Sequence, residues 1–224
     1  MKKILIYLIA ISLFISCKKS DENPIESKPS PSIDGSKTGT VNINGIDYPT
    51  VVIGNQTWTS VNYNGNGGMV NPKATGANYG KHYTYKEAQA ITLPNGWRLP
   101  SENDFVELMR NYDGSYGYGN TTTPYSNDFQ VIDLMSKSTW VIQGNKYLPT
   151  NTSGFNAIAA GTYNVTFKYF VQEGYQTGFW SLPYYRPFII NNEFTNGVGM
   201  FNFSRGFSTD NPEARHSIRF VKPN

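Results

Sequence analysis

From about residue 40 the composition is typical of a folded domain, and this region begins with short apolar runs separated by two-residue turn signals. Residues 41–43 lead into Asn44-Gly45, residues 48–53 lead into Gly54-Asn55, and residues 56–58 follow. Asn-Gly and Gly-Asn dipeptides between apolar runs are typical of tight hairpin connections, because both residues accept positive φ at low cost. The pattern predicts three short strands joined in a meander.

Helical periodicity occurs in the middle of the chain. Ser101 and Asp104 have the spacing of a capping box, so the best helix is predicted to begin after Ser101. Its buried face carries apolar side chains at positions i, i+3, i+4 and i+7, namely Phe105, Leu108, Met109 and Tyr112. Shorter helices are predicted over residues 85–90 and over residues 129–137, where the buried side chains would be Val131, Leu134 and Met135.

Apolar or alternating runs return after the helices, over residues 163–171, 178–180, 198–203 and 217–221. Strands first, helices in the middle and strands at the end indicate the α+β class. Neither an internal repeat nor a Gly/Ser-rich break divides this region, so residues 39–224 are predicted to form one domain.

The N-terminal sequence predicts export and lipidation. A basic start is followed by an apolar run over residues 4–15, which at about 12 residues is too short for a membrane-spanning helix of about 20. Ser16 stands directly before Cys17, an arrangement that resembles the lipobox of bacterial lipoproteins. We therefore predict a signal peptide over residues 1–16 and lipid on Cys17. The alternative is an incidental cysteine after an ordinary signal peptide.

Residues 17–38 are predicted to be the lipidated cysteine and a flexible tether. They are rich in Ser, Pro, Lys and acidic residues, and this composition cannot bury enough apolar surface to offset the entropy of ordering. The sequence Ser20-Asp21-Glu22 resembles the acidic export signal of some Bacteroidetes lipoproteins, although a solvated charge cluster explains it equally well. The expected location is the outer membrane, with the domain lipid-anchored and exposed on the cell surface.

Composition excludes several classes of function. The formal charge of +3 falls to +1 (3 − 2) when Lys2 and Lys3 leave with the signal peptide, and the other basic residues never exceed two in a row. Nucleic-acid binding is therefore not expected. A single cysteine excludes disulfide frameworks and cysteine-based zinc sites.

Catalytic motifs give no support for an enzyme. His82 and His216 are the only histidines and lack metal-ligand spacing, and neither a nucleophile elbow nor a phosphate-binding loop occurs. Nothing in the sequence selects a pair among the scattered carboxylates for glycoside cleavage, so surface acids and helix caps are the favoured interpretation. No catalytic residue, metal or cofactor is predicted.

Two polar loops that carry tyrosines are the candidate binding regions. One lies over residues 111–127 between two predicted helices, and the other follows residues 180–183. Tyrosine presents a flat apolar face with a hydroxyl, which suits stacking on sugar rings or anchoring a protein partner. The candidate ligand-binding residues are Tyr116, Tyr118, Tyr125, Tyr184, Tyr185 and Arg186. Packing of these tyrosines over the core is the alternative.

Six blocks of the chain, in a fixed order, carry a family resemblance. They are Tyr48-x-Thr50-Val51-x-Ile53-Gly54-x-Gln56-x-Trp58, Gly80-x-x-Tyr83-Thr84-Tyr85-x-x-Ala88, Pro94-x-Gly96-Trp97-Arg98-Leu99-Pro100-Ser101, Gly154-Phe155-Asn156-Ala157-x-x-Ala160-Gly161, Phe179-Trp180-Ser181 and Ser217-Ile218-Arg219-Phe220-Val221-Lys222. Together they resemble the Fibrobacter succinogenes major paralogous domain over nearly all of residues 39–224. Members are typically secreted or lipid-anchored bacterial proteins of undetermined activity.

The resemblance implies a C-type-lectin-like fold, with a twisted, mainly antiparallel sheet, two to three short helices and long loops. The block around Trp97 is also similar to one in formylglycine-generating enzymes, but their copper chemistry needs cysteines that this domain lacks. Lectin-type calcium motifs are absent, and residues 210–213 are interpreted as a surface turn. Trp58, Trp97, Leu99 and Trp180 are expected to be core residues, with Arg98 paired locally.

Two functional hypotheses follow. The first is a surface-anchored, non-enzymatic binding domain that recognises glycans or another protein through its tyrosine-rich loops. The alternative is a structural or accessory subunit of a cell-surface assembly or appendage. In both, the membrane contact is made through the N-terminal lipid.

The first prediction concerns a pair of positions where this chain departs from the family. Members commonly carry a cysteine at the positions of Leu93 and Phe220, and two apolar residues replacing both suggest a contact in the core. The double variant Leu93→Cys/Phe220→Cys should therefore form a crosslink under oxidation, detected as a mobility shift on non-reducing gels. A correctly folded variant without the bond would contradict the contact.

Overall fold

A computed structural model describes residues 38–74, 76, 79–111, 131–142, 148–182, 186–191, 200–203 and 211–224. The described part has eleven short strands, most of which pair in antiparallel sheets, and three short helices. This composition confirms the α+β class. In chain order the elements are β1 (Thr38–Ile43), β2 (Ile46–Ile53), β3 (Gln56–Thr59), β4 (Tyr83–Thr84), α1 (Tyr85–Gln89), α2 (Glu102–Arg110), α3 (Val131–Leu134), β5 (Thr162–Asn164), β6 (Tyr169–Val171), β7 (Gln176–Ser181), β8 (Arg186–Asn191), β9 (Met200–Phe203), β10 (Arg215–His216) and β11 (Val221–Pro223).

The predicted meander is confirmed. Strands β1, β2 and β3 are antiparallel neighbours, and the Asn44-Gly45 turn has φ values of 51° and 84°, the backbone that a two-residue hairpin requires. The last strand, β11, pairs with β3 and places Val221 opposite Trp58. The sheet order β1-β2-β3-β11 therefore joins the beginning and the end of the described chain.

Local capping signals position the helices. The Ser101 hydroxyl accepts the Asp104 N–H at 3.2 Å, and the Asp104 carboxylate accepts the Ser101 N–H at 2.6 Å, so the predicted capping box of α2 is confirmed. Helix α1 has a second box, formed by Thr84 and Glu87, that the sequence interpretation did not identify. This helix occupies the region predicted over residues 85–90.

Three predictions of element boundaries are wrong. Helix α3 ends at Leu134 because Met135 forms a bridge with Ala157, although Leu134 and Met135 are buried as expected. The run over residues 163–171 is a hairpin, because its middle turns between β5 and β6. Of residues 217–221, only Val221 belongs to a strand. Strand β8 was not predicted.

Two apolar clusters form the core. The first surrounds Trp58, Phe105 and Phe188, and the rings of Phe105 and Phe188 stack with centroids 4.4 Å apart. The second contains Trp180 and Phe220. Trp58, Leu99 and Trp180 are buried as predicted, whereas Trp97 is only partly buried. Leu93 packs against the cluster that contains Phe220, which agrees with the expected proximity of the two residues.

Arg219 is a fully buried cation that connects distant segments. Its Nε donates to Asn62 Oδ1 at 2.8 Å, and its Nη1 donates to the carbonyl oxygens of Thr59 at 2.8 Å and Phe155 at 2.6 Å. Its Nη2 donates to the carbonyl oxygen of Asn156 at 2.8 Å. Burial lowers the pKa of Arg219 to about 9, and these acceptors favour the charged form, so the side chain is cationic at neutral pH.

The second prediction follows from this network. Arg219→Lys should lower the free energy of unfolding by about 3 kcal/mol, because an ammonium group cannot reproduce the planar fork of donors and leaves buried carbonyl groups unpaired. Urea unfolding measures the change. Arg110→Lys is the matched control: Arg110 lies on the surface beside Glu107, so its change should stay within about 0.5 kcal/mol. Equal effects for the two variants would contradict the role given to Arg219.

Candidate binding groove

The binding residues predicted from the sequence fall almost entirely outside the described part of the chain. Arg186 begins β8, but its side chain is not among those described. The others, which lie wholly outside the described residues, are Cys17, Tyr116, Tyr118, Tyr125, Tyr184 and Tyr185. Lipidation of Cys17 and binding through the tyrosine-rich loops therefore stay predictions.

Both histidines are buried in the fold. His82 Nε2 lies 3.1 Å from the carbonyl oxygen of Gly161, and the ring of His82 packs on Phe170 with centroids 4.9 Å apart. The ring of His216 meets Trp180 edge-on at 4.6 Å. Burial lowers the pKa of His82 to about 4 and that of His216 to about 3, so both rings are neutral at physiological pH.

The buried carboxylate of Asp104 is engaged in structural contacts. Asp104 forms two short hydrogen bonds with Arg98, at 2.5 and 2.7 Å, which confirms the expected local pairing of Arg98. Burial acts to raise the pKa of Asp104, but hydrogen bonds from Arg98 and Ser101 outweigh it, and the pKa lies below its ordinary value. Such a carboxylate is ionised at neutral pH and unsuited to serve as a general acid.

Metal-binding groups are similarly lacking where the chain is described. There, His, Cys, Asp and Glu side chains do not form any group of three or more that could hold a metal ion. Of the predicted surface turn over residues 210–213, the last three residues are exposed, and Asn211 Oδ1 accepts the Glu213 N–H at 2.9 Å. Asp210 lies outside the described residues.

A groove of about 450 Å³ lies between the β1–β2 turn, residues 63–67 and the end of α1. That volume is within the range of small-molecule sites. The groove is lined by Asn44, Tyr63, Asn66, Gly67, Glu87, Ala90, Ile91 and Thr92. Two amides, two hydroxyls and a carboxylate thus surround a short apolar surface, an arrangement that suits a ligand rich in hydroxyl groups.

One wall of the groove is held by side chains from outside it. Lys81 Nζ donates to the carbonyl oxygens of Gly65 and Gly67 at 2.8 and 3.2 Å, and the Tyr83 hydroxyl donates to Gly65 at 3.0 Å. Gly68 has φ of +66°, and a Cβ there would lie 2.6 Å from the Tyr83 ring, so only glycine fits. The wall is preorganised before any ligand arrives.

Glu87 supplies charge to the groove but no transferable proton. Its Oε2 accepts from the Thr84 N–H at 2.7 Å and from Arg215 Nη1 at 2.8 Å, and its Oε1 accepts from the Gly68 N–H at 3.3 Å. Burial acts to raise the pKa of Glu87, but the hydrogen bonds from Thr84 and the charge of Arg215 bring it below its ordinary value. The carboxylate of the groove is therefore ionised at neutral pH and held by three groups of the fold.

The sequence interpretation missed this groove because its walls come from three separate segments. The one local signal was the Asn-Gly-Asn-Gly-Gly run over residues 64–68, which marks a tight, exposed loop. Asn44, Asn66 and Thr92 are exposed, so their side chains are accessible to a ligand.

A comparison with protein families matches most of the chain. The sequence model of one family, the Fibrobacter succinogenes major domain, matches residues 51–222. No curated protein and no solved structure matches the chain.

The third prediction concerns acid stability. The folded pKa values of His82 and His216 lie below the ordinary value of 6.5, so the unfolded chain binds more protons and stability falls as the pH drops from 6.5 towards 4. Two such groups give a slope of up to about 2.7 kcal/mol per pH unit, and His216→Asn should reduce it to about 1.4. Urea unfolding at several pH values measures the slope.

Other charged groups also affect how stability depends on pH. Arg215 lies near His82 and further disfavours its protonation, whereas Glu87 and Asp104 lose their stabilising effect only at lower pH. An unchanged slope in His216→Asn would show that protonation of His216 does not contribute to the acid sensitivity.

Proposed function

The chain belongs to the Fibrobacter succinogenes major domain family, and from this premise we propose that it is a non-enzymatic, glycan-binding domain of a surface-anchored bacterial lipoprotein. Signal peptidase would remove residues 1–16, Cys17 would carry lipid, and residues 17–38 would hold the domain away from the outer membrane. The support for this anchoring is the sequence of the N-terminal segment. In the described part of the chain, no helix is long and apolar enough to cross a membrane.

The proposal rests on one observation: the groove combines accessible hydrogen-bonding groups with a carboxylate that is already bound. Asn44, Asn66 and Thr92 offer donors and acceptors, while Glu87 is occupied by Thr84, Gly68 and Arg215. Amides and hydroxyls bind sugar hydroxyl groups through directional hydrogen bonds. Among the described residues, Glu87 is the one carboxylate that lines the groove, whereas glycoside hydrolysis commonly uses two, and this favours binding over hydrolysis.

We further propose a C-type-lectin-like arrangement for the domain. Support comes from the short helices, from the antiparallel sheets and from the pairing of β11 with β3, which joins the two ends of the domain. In this arrangement long loops gather on one side and extend a binding surface. Binding through Tyr116, Tyr118, Tyr125, Tyr184, Tyr185 and Arg186 stays part of this proposal, and its support is the sequence alone.

The fourth prediction tests glycan binding. The mature chain, made soluble by Cys17→Ser, should bind a subset of glycans on an array. Asn66→Ala should weaken that binding at least about tenfold, because it removes an exposed amide from the groove. Asn95→Ala, at an exposed position outside the groove, is the matched control. Tyr116→Ala and Tyr118→Ala test the contribution of the tyrosine-rich loop.

The alternative function has a distinct outcome. A chain that binds no glycan but forms a stable complex with surface proteins of its own cell would be a structural or accessory subunit. Melting temperatures of the variants must match that of the unmodified chain, since loss of folding would also abolish binding.

A further inference from the structure

An exposed aromatic pair projects from the hairpin formed by β5 and β6. Phe167 is 65% exposed and Tyr169 is 52% exposed, and their rings stack with centroids 5.8 Å apart and planes 28° apart. Among the described residues, Phe167 is the most exposed large apolar side chain. Neither ring belongs to the two core clusters, so both are open to a ligand.

The hairpin holds this pair in a fixed position. Asn164 Oδ1 accepts the Phe167 N–H at 3.0 Å, and Lys168 takes the left-handed conformation with φ of 56° to bring the chain back to Tyr169. Strand alternation turns the next residue, Phe170, into the interior. There its ring packs on His82 at 4.9 Å, which fixes the base of the hairpin.

The size of the patch limits what can bind. Phe and Tyr side chains of this exposure offer together on the order of 200 to 300 Å². A stable protein interface needs about 800 Å² from each partner. The two rings alone therefore cannot make up a protein interface of ordinary size, but they are large enough to cover a single sugar ring.

The surroundings of the patch specify the ligand further. Thr166 and Lys168, the chain neighbours of Phe167, are exposed, and Tyr169 adds a phenolic hydroxyl. A pyranose ring has an apolar face of C–H groups and a rim of hydroxyl groups, so it matches flat aromatic rings within a polar border.

We propose that Phe167 and Tyr169 form a stacking platform for a pyranose ring, a second contact point for the glycan ligand. This inference rests on the proposed function and extends it, because it names residues outside the groove. Contact through two rings alone is weak, so the platform would act on polysaccharides that engage the groove or several copies of the chain at once.

Affinity electrophoresis tests the platform. The mature chain with Cys17→Ser is run through native gels that contain soluble xylan, β-glucan, mannan or galactan. At least one polysaccharide should retard it, and Phe167→Ala/Tyr169→Ala should reduce the apparent affinity at least about tenfold. Phe167→Tyr, which preserves the stack, should retain binding. Leu148→Ala is the matched control, because Leu148 is 63% exposed at a different site.

The outcomes separate this inference from the proposed function. Equal retardation of the double variant and the unmodified chain, with binding lost in Asn66→Ala, would overturn the platform and leave the groove. Binding lost in the double variant but kept in Asn66→Ala would support the platform and contradict the groove. If no polysaccharide retards the chain, both fail. Aromatic-dependent sedimentation with phosphatidylcholine vesicles, without any retardation, would show that the hairpin contacts lipid and would overturn the platform.

Discussion

Burial of the Arg219 guanidinium is the constraint on which the rest of the fold depends. A cation inside a protein is tolerated only where fixed acceptors replace its hydration shell. Here the acceptors are backbone carbonyl groups at the end of β3 and at residues 155–156, together with the amide of Asn62. The aromatic rings of Phe155 and Phe179 lie 4.9 and 5.4 Å from the guanidinium carbon. The contacts of this one side chain thus bring residues 59–62, residues 155–156 and Phe179 together around Arg219.

The blocks that carry the family resemblance meet through contacts of the same kind. Trp58 Nε1 donates to Gln56 Oε1, and Gln56 Nε2 donates to Asp104 Oδ1, which is also held by Arg98. In the second cluster, Trp180 Nε1 donates to the carbonyl oxygen of Tyr83, which belongs to the second block. These contacts are internal and specify the fold. The groove amides and the hairpin rings lie outside the blocks, so they take no part in these framework contacts.

Local signals could be predicted from the sequence, whereas contacts between distant segments could not. The Asn44-Gly45 turn and the capping box at Ser101 depend on neighbouring residues, and both were predicted correctly. The end of α3 depends on a bridge to Ala157, more than twenty residues away, and the groove on three separate segments. The hairpin between β5 and β6 was missed because Lys168, and not glycine or asparagine, takes the left-handed conformation at its turn.

Residues 81–83 connect the two candidate binding surfaces. In an extended segment, successive side chains point to opposite sides. Lys81 and Tyr83 therefore face one way and hold Gly65 in the groove wall, while His82 faces the other way and supports Phe170 at the base of the hairpin. The backbone of His82 pairs with Met69, which fixes the segment between both surfaces. A change in this segment would disturb both surfaces, whereas a change in a ring of the hairpin or an amide of the groove would act on one alone.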